Sequence, residues 1–154
     1  MLEIVKHPNE ILRRKSKDID LNEISNNKFQ ELLKEMSETM LKKDGAGLAA
    51  PQIGQNIRVI VINKNEKGMP LINPEITKKS WAKEIDQEGC LSVLNAKGEI
   101  YYLPVSRHKK VSCTYFDEKG KKKKIEAEGL LARVIQHEVD HLNGILFIDR
   151  AINE

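Results

Sequence analysis

Residues 137–141 read His-Glu-Val-Asp-His, and no other stretch of this chain is better suited to chemistry. Two histidines four positions apart on a helix stand on one face, one turn from each other, with Cβ atoms about 5–6 Å apart. Imidazole nitrogens so placed can converge on one divalent metal ion at bond lengths of about 2.0–2.1 Å. Glu138 is offset by one residue, close to such an ion but poorly aimed to ligate it, which suits a base acting on water. The alternative is a chance pair of histidines on an amphipathic helix. That alternative leaves unexplained why two of the chain's four histidines flank a glutamate here. The expected chemistry is metal-assisted hydrolysis.

The third ligand decides the class of hydrolase. In metzincins it is a histidine six residues after the second one, with a glycine at three. Gly144 occupies the glycine position, but Phe147 stands where the ligand would be. Thermolysin-like enzymes use a downstream glutamate. Only residues 142–154 follow, and their acids, Asp149 and Glu154, lie in a short tail expected to fray. The third ligand is therefore sought upstream. Cys90, in Glu88-Gly-Cys-Leu-Ser92, is the best candidate, bound as a thiolate with Gly89 permitting close backbone approach. Cys113 sits in an alternating strand pattern and reads as a small core residue. His7 precedes a proline in the N-terminal arm and His108 lies in a charged stretch, so both are weaker candidates.

The elements that must position these residues read as one α+β domain over residues 1–154. Small antiparallel or mixed β-sheets pack around a central helix, about Leu130 to Leu142, that carries the histidines. Leu131, Val134, Ile135 and Leu142 give that helix its apolar stripe, and Asn143-Gly144 closes it. A second amphipathic helix is expected from about Asn22 to Lys43, with Phe29, Leu32, Leu33, Met36 and Met40 on one face. Residues 2–20 read as an irregular arm, and Gly45–Gly54 as a tight, packed loop. Ile57–Ile62 is β-branched and reads as a buried strand. Leu71-Ile72, stopped by Asn73-Pro74, and Lys83–Gln87 read as short strands. Val111–Phe116 and Lys122–Ala127 form a hairpin, with Val111, Cys113 and Tyr115 on one side. Ile145–Ile148 reads as a last short strand.

Composition excludes several classes. There are 26 basic and 23 acidic residues, a net charge of +3, and that surplus is too small to argue for nucleic-acid binding. The basic run Lys121–Lys124 reads as a solvated hairpin arm. No apolar run approaches the roughly 20 residues of a membrane helix, and the N-terminus has no secretory h-region. Two cysteines do not make a disulfide framework, so a cytoplasmic protein with reduced thiols is expected.

Three segments taken together, Gly45-Ala-Gly-Leu-Ala-Ala-Pro-Gln52, Glu88-Gly-Cys-Leu-Ser92 and His137-Glu-Val-Asp-His141, resemble the signature motifs of the peptide deformylases, in the same order. The resemblance runs from the arm to about Asp149. It implies that Cys90, His137 and His141 are the metal ligands and Glu138 the general acid/base. It also implies that the Gln52 side-chain amide and the Leu91 N–H meet the oxyanion, and that backbone atoms at Gly47 hold substrate. The implied reaction removes the formyl group from the N-terminal formylmethionine of new polypeptides and releases formate. The implied metal is one divalent ion per chain, Fe(II) in the cell, with zinc, nickel or cobalt able to replace it. The chemistry agrees: an amide is a poor electrophile, and losing one oxyanion donor costs about 2.7–4 kcal/mol of barrier. Leu130, Val134 and the surroundings of Leu48 are candidates for an apolar slot taking the methionine side chain, with a plain core role as the alternative. Arg133 is placed at the pocket rim or in solvent.

The chain departs from that family pattern after Ser92. Leu94 stands where a proline often falls, and Lys97 where an arginine contacts the substrate backbone, a planar contact that lysine cannot reproduce. Extra residues around Tyr101-Tyr102-Leu103-Pro104 read as a loop extension, with the tyrosines packed beneath it or bordering the cleft. Many family members carry a further C-terminal helix associated with docking near the ribosomal exit tunnel. The stretch after His141 is too short for one, which counts against stable ribosome association. The expected partner is the N-formylmethionyl peptide, acted on by a monomer. A peptidase using the same ligands would need one of the missing downstream ligands, and a structural metal site would need a fourth protein ligand.

Overall fold

The computed structural model describes residues 1–152. Seven strands form two antiparallel sheets: β1 (Gly47–Ala49), β2 (Val59–Lys64), β3 (Lys67–Lys79), β4 (Lys83–Glu88), β5 (Leu103–His108), β6 (Lys110–Phe116) and β7 (Lys122–Glu128). The larger sheet runs β1-β2-β3-β6-β7, and β4 and β5 pair separately. Three helices accompany them, α1 (Asn27–Lys42), α2 (Gly129–Leu142) and the short α3 (Phe147–Arg150). The architecture is the expected α+β arrangement around the helix that bears His137-Glu-Val-Asp-His141.

Strand β2 shows how the layers are specified. Its side chains alternate between faces. Ile60 and Ile62 join Ala132, Ile135, Val139 and Leu142 of α2 in one cluster. Val59 and Val61 join Phe29, Leu33, Met36 and Met40 of α1 in another. A continuous β-branched run is thus what a strand covered on both faces requires. Val111, Cys113 and Tyr115 face α2, as their alternation predicts. Helix α2 lies between the large sheet and the β4–β5 ribbon, so little of it is exposed, and even Arg133, Gln136 and Asp140 are buried.

Several boundaries differ from the sequence reading, each for a physical reason. Asn26 caps α1 by accepting from the Lys28 N–H, so the helix starts there rather than at Asn22, and Leu21–Glu23 forms a separate 3₁₀ turn. The arm likewise holds a 3₁₀ turn at Glu10–Arg13. The segment Gly45–Gly54 is not all loop: Gly47–Ala49 adds an edge strand to β2, and Ala50–Ile53 forms a 3₁₀ turn. Asn73-Pro74 does not end a strand at Ile72. The ladder between β3 and β6 shifts register there and continues to Lys79, with Asn73 at φ 49° and its amide bridging Ile19 N–H and C=O. A β-bulge replaces the expected stop.

Three corrections concern the chain near the metal motif. Leu103–His108 is a strand paired with β4, so the extension ends in regular structure. Ile145–Ile148 is not a strand; Phe147 begins α3. Asp149 belongs to an anchored segment, since its carboxylate accepts from Arg13 and from the Leu146 N–H. Glu154, grouped with it in the sequence reading, lies outside the described residues.

Candidate functional site

The site forms where three loops and one helix meet. Helix α2 presents His137 and His141 with ring centroids 5.1 Å apart. Cys90 arrives from the end of β4, its Sγ 3.4 Å from His141 Nε2. One ligand atom from each of Cys90, His137 and His141 lies within 4.8 Å of the others. Thiolate and imidazole donors converging in this way fit a zinc-class or iron-class divalent cation. His137 Nδ1 donates to Glu88 Oε1 at 2.8 Å, which leaves Nε2 free to ligate.

Burial and neighbouring charges act differently on each group of the site. Burial opposes protonation of His137, but the charge of Glu138, hydrogen bonds with Cys90 and Glu88, and the charge of Cys90 outweigh it and hold its pKa at about 10. Burial, with the neighbouring charges of His137 and Arg107, pushes His141 well below the usual histidine range. Burial raises the Glu138 carboxyl to about 7. Its Oε1 is buried without a hydrogen-bond partner, and the residue borders the cleft beside Cys90 and His137. Such a group is costly unless something in the site uses it.

Gln52 is 2% exposed and fixed at both ends of its amide. Its Oε1 accepts from the Ala49 N–H at 2.9 Å, so Nε2 is turned towards Cys90 Sγ (3.5 Å) and Ser92 Oγ (3.1 Å). The Leu91 N–H has no protein acceptor among the described residues. Gly47 passes so close to Glu138 that a Cβ on it would lie 2.8 Å from Glu138 Cγ and Oε2. Gly47, Gln52, Cys90, Leu91, Leu130, Val134, His137 and Glu138 all border one cleft of about 260 Å³. Leu48 is fully buried against α1. Lys97 sits on the exposed turn that Asn95 organises, away from the cleft lining.

Glu88 is the residue that sequence reasoning overlooked. Its carboxylate accepts from His137, from Arg107 Nε and Nη2 (2.8 and 2.9 Å), and from Arg133 Nη1 (2.6 Å). Burial alone would raise its pKa, but hydrogen bonds from Arg107 and His137 reverse this and hold it far below the usual carboxylate range. Arg133 is therefore not solvated: it borders the cleft as a buried residue and also donates to the carbonyls of Val105 and Glu84. Arg107 continues to Asp140, which Arg150 of α3 grips with Nε and Nη2. Phe147 of α3 stacks on His137, with centroids 6.3 Å apart. Glu88 stood within a quoted motif, yet its partner Arg107 lay in a segment read as loop.

The same motifs recur in known proteins. The sequence pattern of the Polypeptide deformylase family matches residues 1–154. The chain belongs to the polypeptide deformylase family. It is similar to "Peptide deformylase" of Dictyoglomus thermophilum, with 45% identity over 152 residues, covering 99% of this chain and 94% of the relative. Among solved structures it resembles an actinonin-bound class I type b peptide deformylase from Acinetobacter baumannii, with TM-score 0.90, 36% identity and 99% coverage of both chains. A probable peptide deformylase from Synechococcus phage S-SSM7 is similar too, with TM-score 0.85 and 42% identity, over 97% of this chain and 99% of that one. As a member of this metal-dependent family, the chain is a hydrolase that removes the N-formyl group from formylated peptides.

Proposed function

We propose that Cys90, His137 and His141 hold one divalent metal ion, Fe(II) in the cell, and that Glu138, Gln52 and Leu91 act beside it to deformylate N-formylmethionyl peptides. One observation carries this reading: three donor atoms within 4.8 Å of one another adjoin a buried carboxylate with an unpaired oxygen. Bound there, the ion supplies Lewis acidity and makes a water acidic enough to lose its proton near neutral pH. Glu138 takes that proton and hands it on to the leaving amine. The new C–O bond and the broken C–N bond yield formate and a free N-terminus. Negative charge on the formyl oxygen is met by the Gln52 amide, already oriented by Ala49, and by the Leu91 N–H.

Backbone at Gly47 holds the peptide along the edge of β1, and Val134 and Leu130 line the slot for the methionine side chain. Lys97, on its exposed turn, has no part in this reading. We take the chain to work as a monomeric single domain over residues 1–154 in the cytoplasm, with ribosome association, where it occurs, transient. In support, no helix among the described residues is long and apolar enough to cross a membrane.

The test is formate release from formyl-Met-Ala-Ser under anaerobic conditions with Fe(II), and with Ni(II) as a stable substitute. Turnover that follows metal content supports the reading; a fully loaded protein that releases no formate overturns it. Sedimentation with and without ribosomes checks the monomer and the weak association.

A further inference from the structure

The segment between Ser92 and β5, where the sequence reading found a departure from the family pattern, supplies Ile100 and Tyr102 to the lining of the cleft. Asn95 organises a tight turn, accepting on Oδ1 from the N–H groups of Lys97 and Glu99 while its own N–H donates to Glu99 O. Leu94 and Ile100 then pair across the turn. The next two residues separate by role. Tyr101 points inward, joins the cluster of Leu12, Val105 and Phe147, and lies against the Phe147 ring with centroids 6.0 Å apart. Tyr102 points outward and lines the cleft.

Ile100 and Tyr102 close directly over Gly89, the neighbour of Cys90. A Cβ on Gly89 would lie 2.9 Å from both Ile100 Cγ2 and Tyr102 Cε1. Leu130, at the start of α2, lines the same cleft. Ile100 is 40% exposed, Tyr102 63% and Leu130 72%. Single exposed apolar residues are ordinary, but Ile100 and Tyr102 together over Gly89 at one cleft form a patch that calls for an occupant. The patch is continuous with the cavity that holds Cys90, His137 and Glu138, so the occupant is chain that leaves this cavity.

We propose that Ile100 and Tyr102 form an apolar rim that selects peptides carrying a large apolar side chain at the second or third residue. This rests on the deformylase reading and adds a specificity element supplied by the departing segment. The turn at Asn95 and the Tyr101 anchor hold the rim in place before substrate arrives, which reduces the ordering cost of binding. An apolar contact of this size discriminates on the order of tenfold.

The experiment compares kcat/KM for formyl-Met-Xaa-Ala and formyl-Met-Ala-Xaa, with Xaa as Phe, Leu, Ser, Asp or Lys, on the nickel-loaded full chain. Wild type is expected to prefer Phe and Leu over Ser and Asp by on the order of tenfold at one of the two positions, expressed in KM. The Ile100→Ala/Tyr102→Ala double variant should lose that preference, and Tyr102→Phe should keep it. Tyr102→Glu should shift the preference towards Lys, an outcome that a merely structural tyrosine would not produce. Dissociation constants of the deformylated products Met-Xaa-Ala, measured by calorimetry, should rank in the same order. Equal kcat/KM for all wild-type substrates, or a preference unchanged in the double variant, overturns the inference while leaving the deformylase reading intact. No formate from any peptide overturns both.

Discussion

At the residue scale, the active site turns on how Glu138 is held. Its Oε1 has no protein partner and its Cγ and Oε2 lie close under the Gly47 backbone, so position and basicity are set by packing rather than by hydrogen bonds. Glu138→Gln should keep the metal, measured by elemental analysis, while kcat falls on the order of 10²- to 10⁴-fold, the range for a lost general acid/base. Cys90→Ala should instead lose metal. Equal turnover in Glu138→Gln and wild type would exclude Glu138 as the base. Gly47→Ala should fold and bind metal, yet lose on the order of 10²-fold in kcat, because its Cβ displaces the carboxylate. An unchanged kcat would show that Glu138 tolerates the shift. At this scale the sequence was highly legible. Helical spacing places His137, Glu138 and His141 without any tertiary knowledge, and the cysteine search needed only the absence of a downstream ligand. Glu88 was not legible, because an acid reads as buried only once Arg107 and Arg133 are known to reach it.

Elements carry the next layer of control, and α3 shows it best. Four residues long, it touches the metal helix twice: Phe147 stacks on His137, and Arg150 grips Asp140, which holds Arg107 against Glu88. The Arg150→Ala variant should bind metal about 10- to 100-fold more weakly, the usual effect of removing an outer partner, with a changed thiolate-to-metal absorption band in the cobalt-loaded protein. Arg150→Lys should restore only part of that affinity, since lysine cannot reproduce the two-pronged contact. Identical affinity in all three proteins would mean that the network ends at Asp140. Sequence reading took this segment for a strand because Ile145–Ile148 is short and apolar, where periodicity cannot separate strand from helix. It missed β5 for a related reason: Leu103-Pro-Val-Ser-Arg-His lacks clean alternation, and only pairing with Lys83–Glu88 makes it a strand. Asn73-Pro74 likewise argued for a short β3, yet a bulge absorbs it.

For the whole molecule, the question is what keeps arm, sheet and metal helix in register. Two buried clusters cover the faces of the large sheet, and Met36 lies fully buried in the one under α1. Met36→Ala should cost about 2–5 kcal/mol in urea unfolding, as large-to-small core changes do. The arm is tied to the far end of the chain by Arg13 and Asp149, and Gly144 meets the arm so closely that a Cβ would lie 2.4 Å from Arg13 O. Hydrogen bonds from Arg13 and the Leu146 N–H hold the Asp149 carboxyl below its usual range. A depressed folded pKa stabilises the fold at pH values above the unfolded pKa, and that contribution disappears as pH falls through the folded value. Wild type should therefore unfold at higher urea than Asp149→Asn at neutral pH, with the two midpoints converging in acid. A constant gap across pH would show that charge is not what Asp149 contributes.

By itself, the sequence determined the fold class, both long helices, the family and which three donors to look for, because those rest on local periodicity and on motifs whose chemistry fixes their spacing. The tertiary structure alone decided that Arg133 is buried, that Asp149 is anchored, that Lys97 sits on an exposed turn outside the cleft lining and that Tyr101 packs inward while Tyr102 borders the cleft. Each of these depends on groups distant in the chain arriving at one place, where burial makes an unpaired charge costly and a paired one specific. His137-Glu-Val-Asp-His141 could be read from spacing alone; the Glu88 carboxylate that orients its first histidine could only be seen in the folded chain.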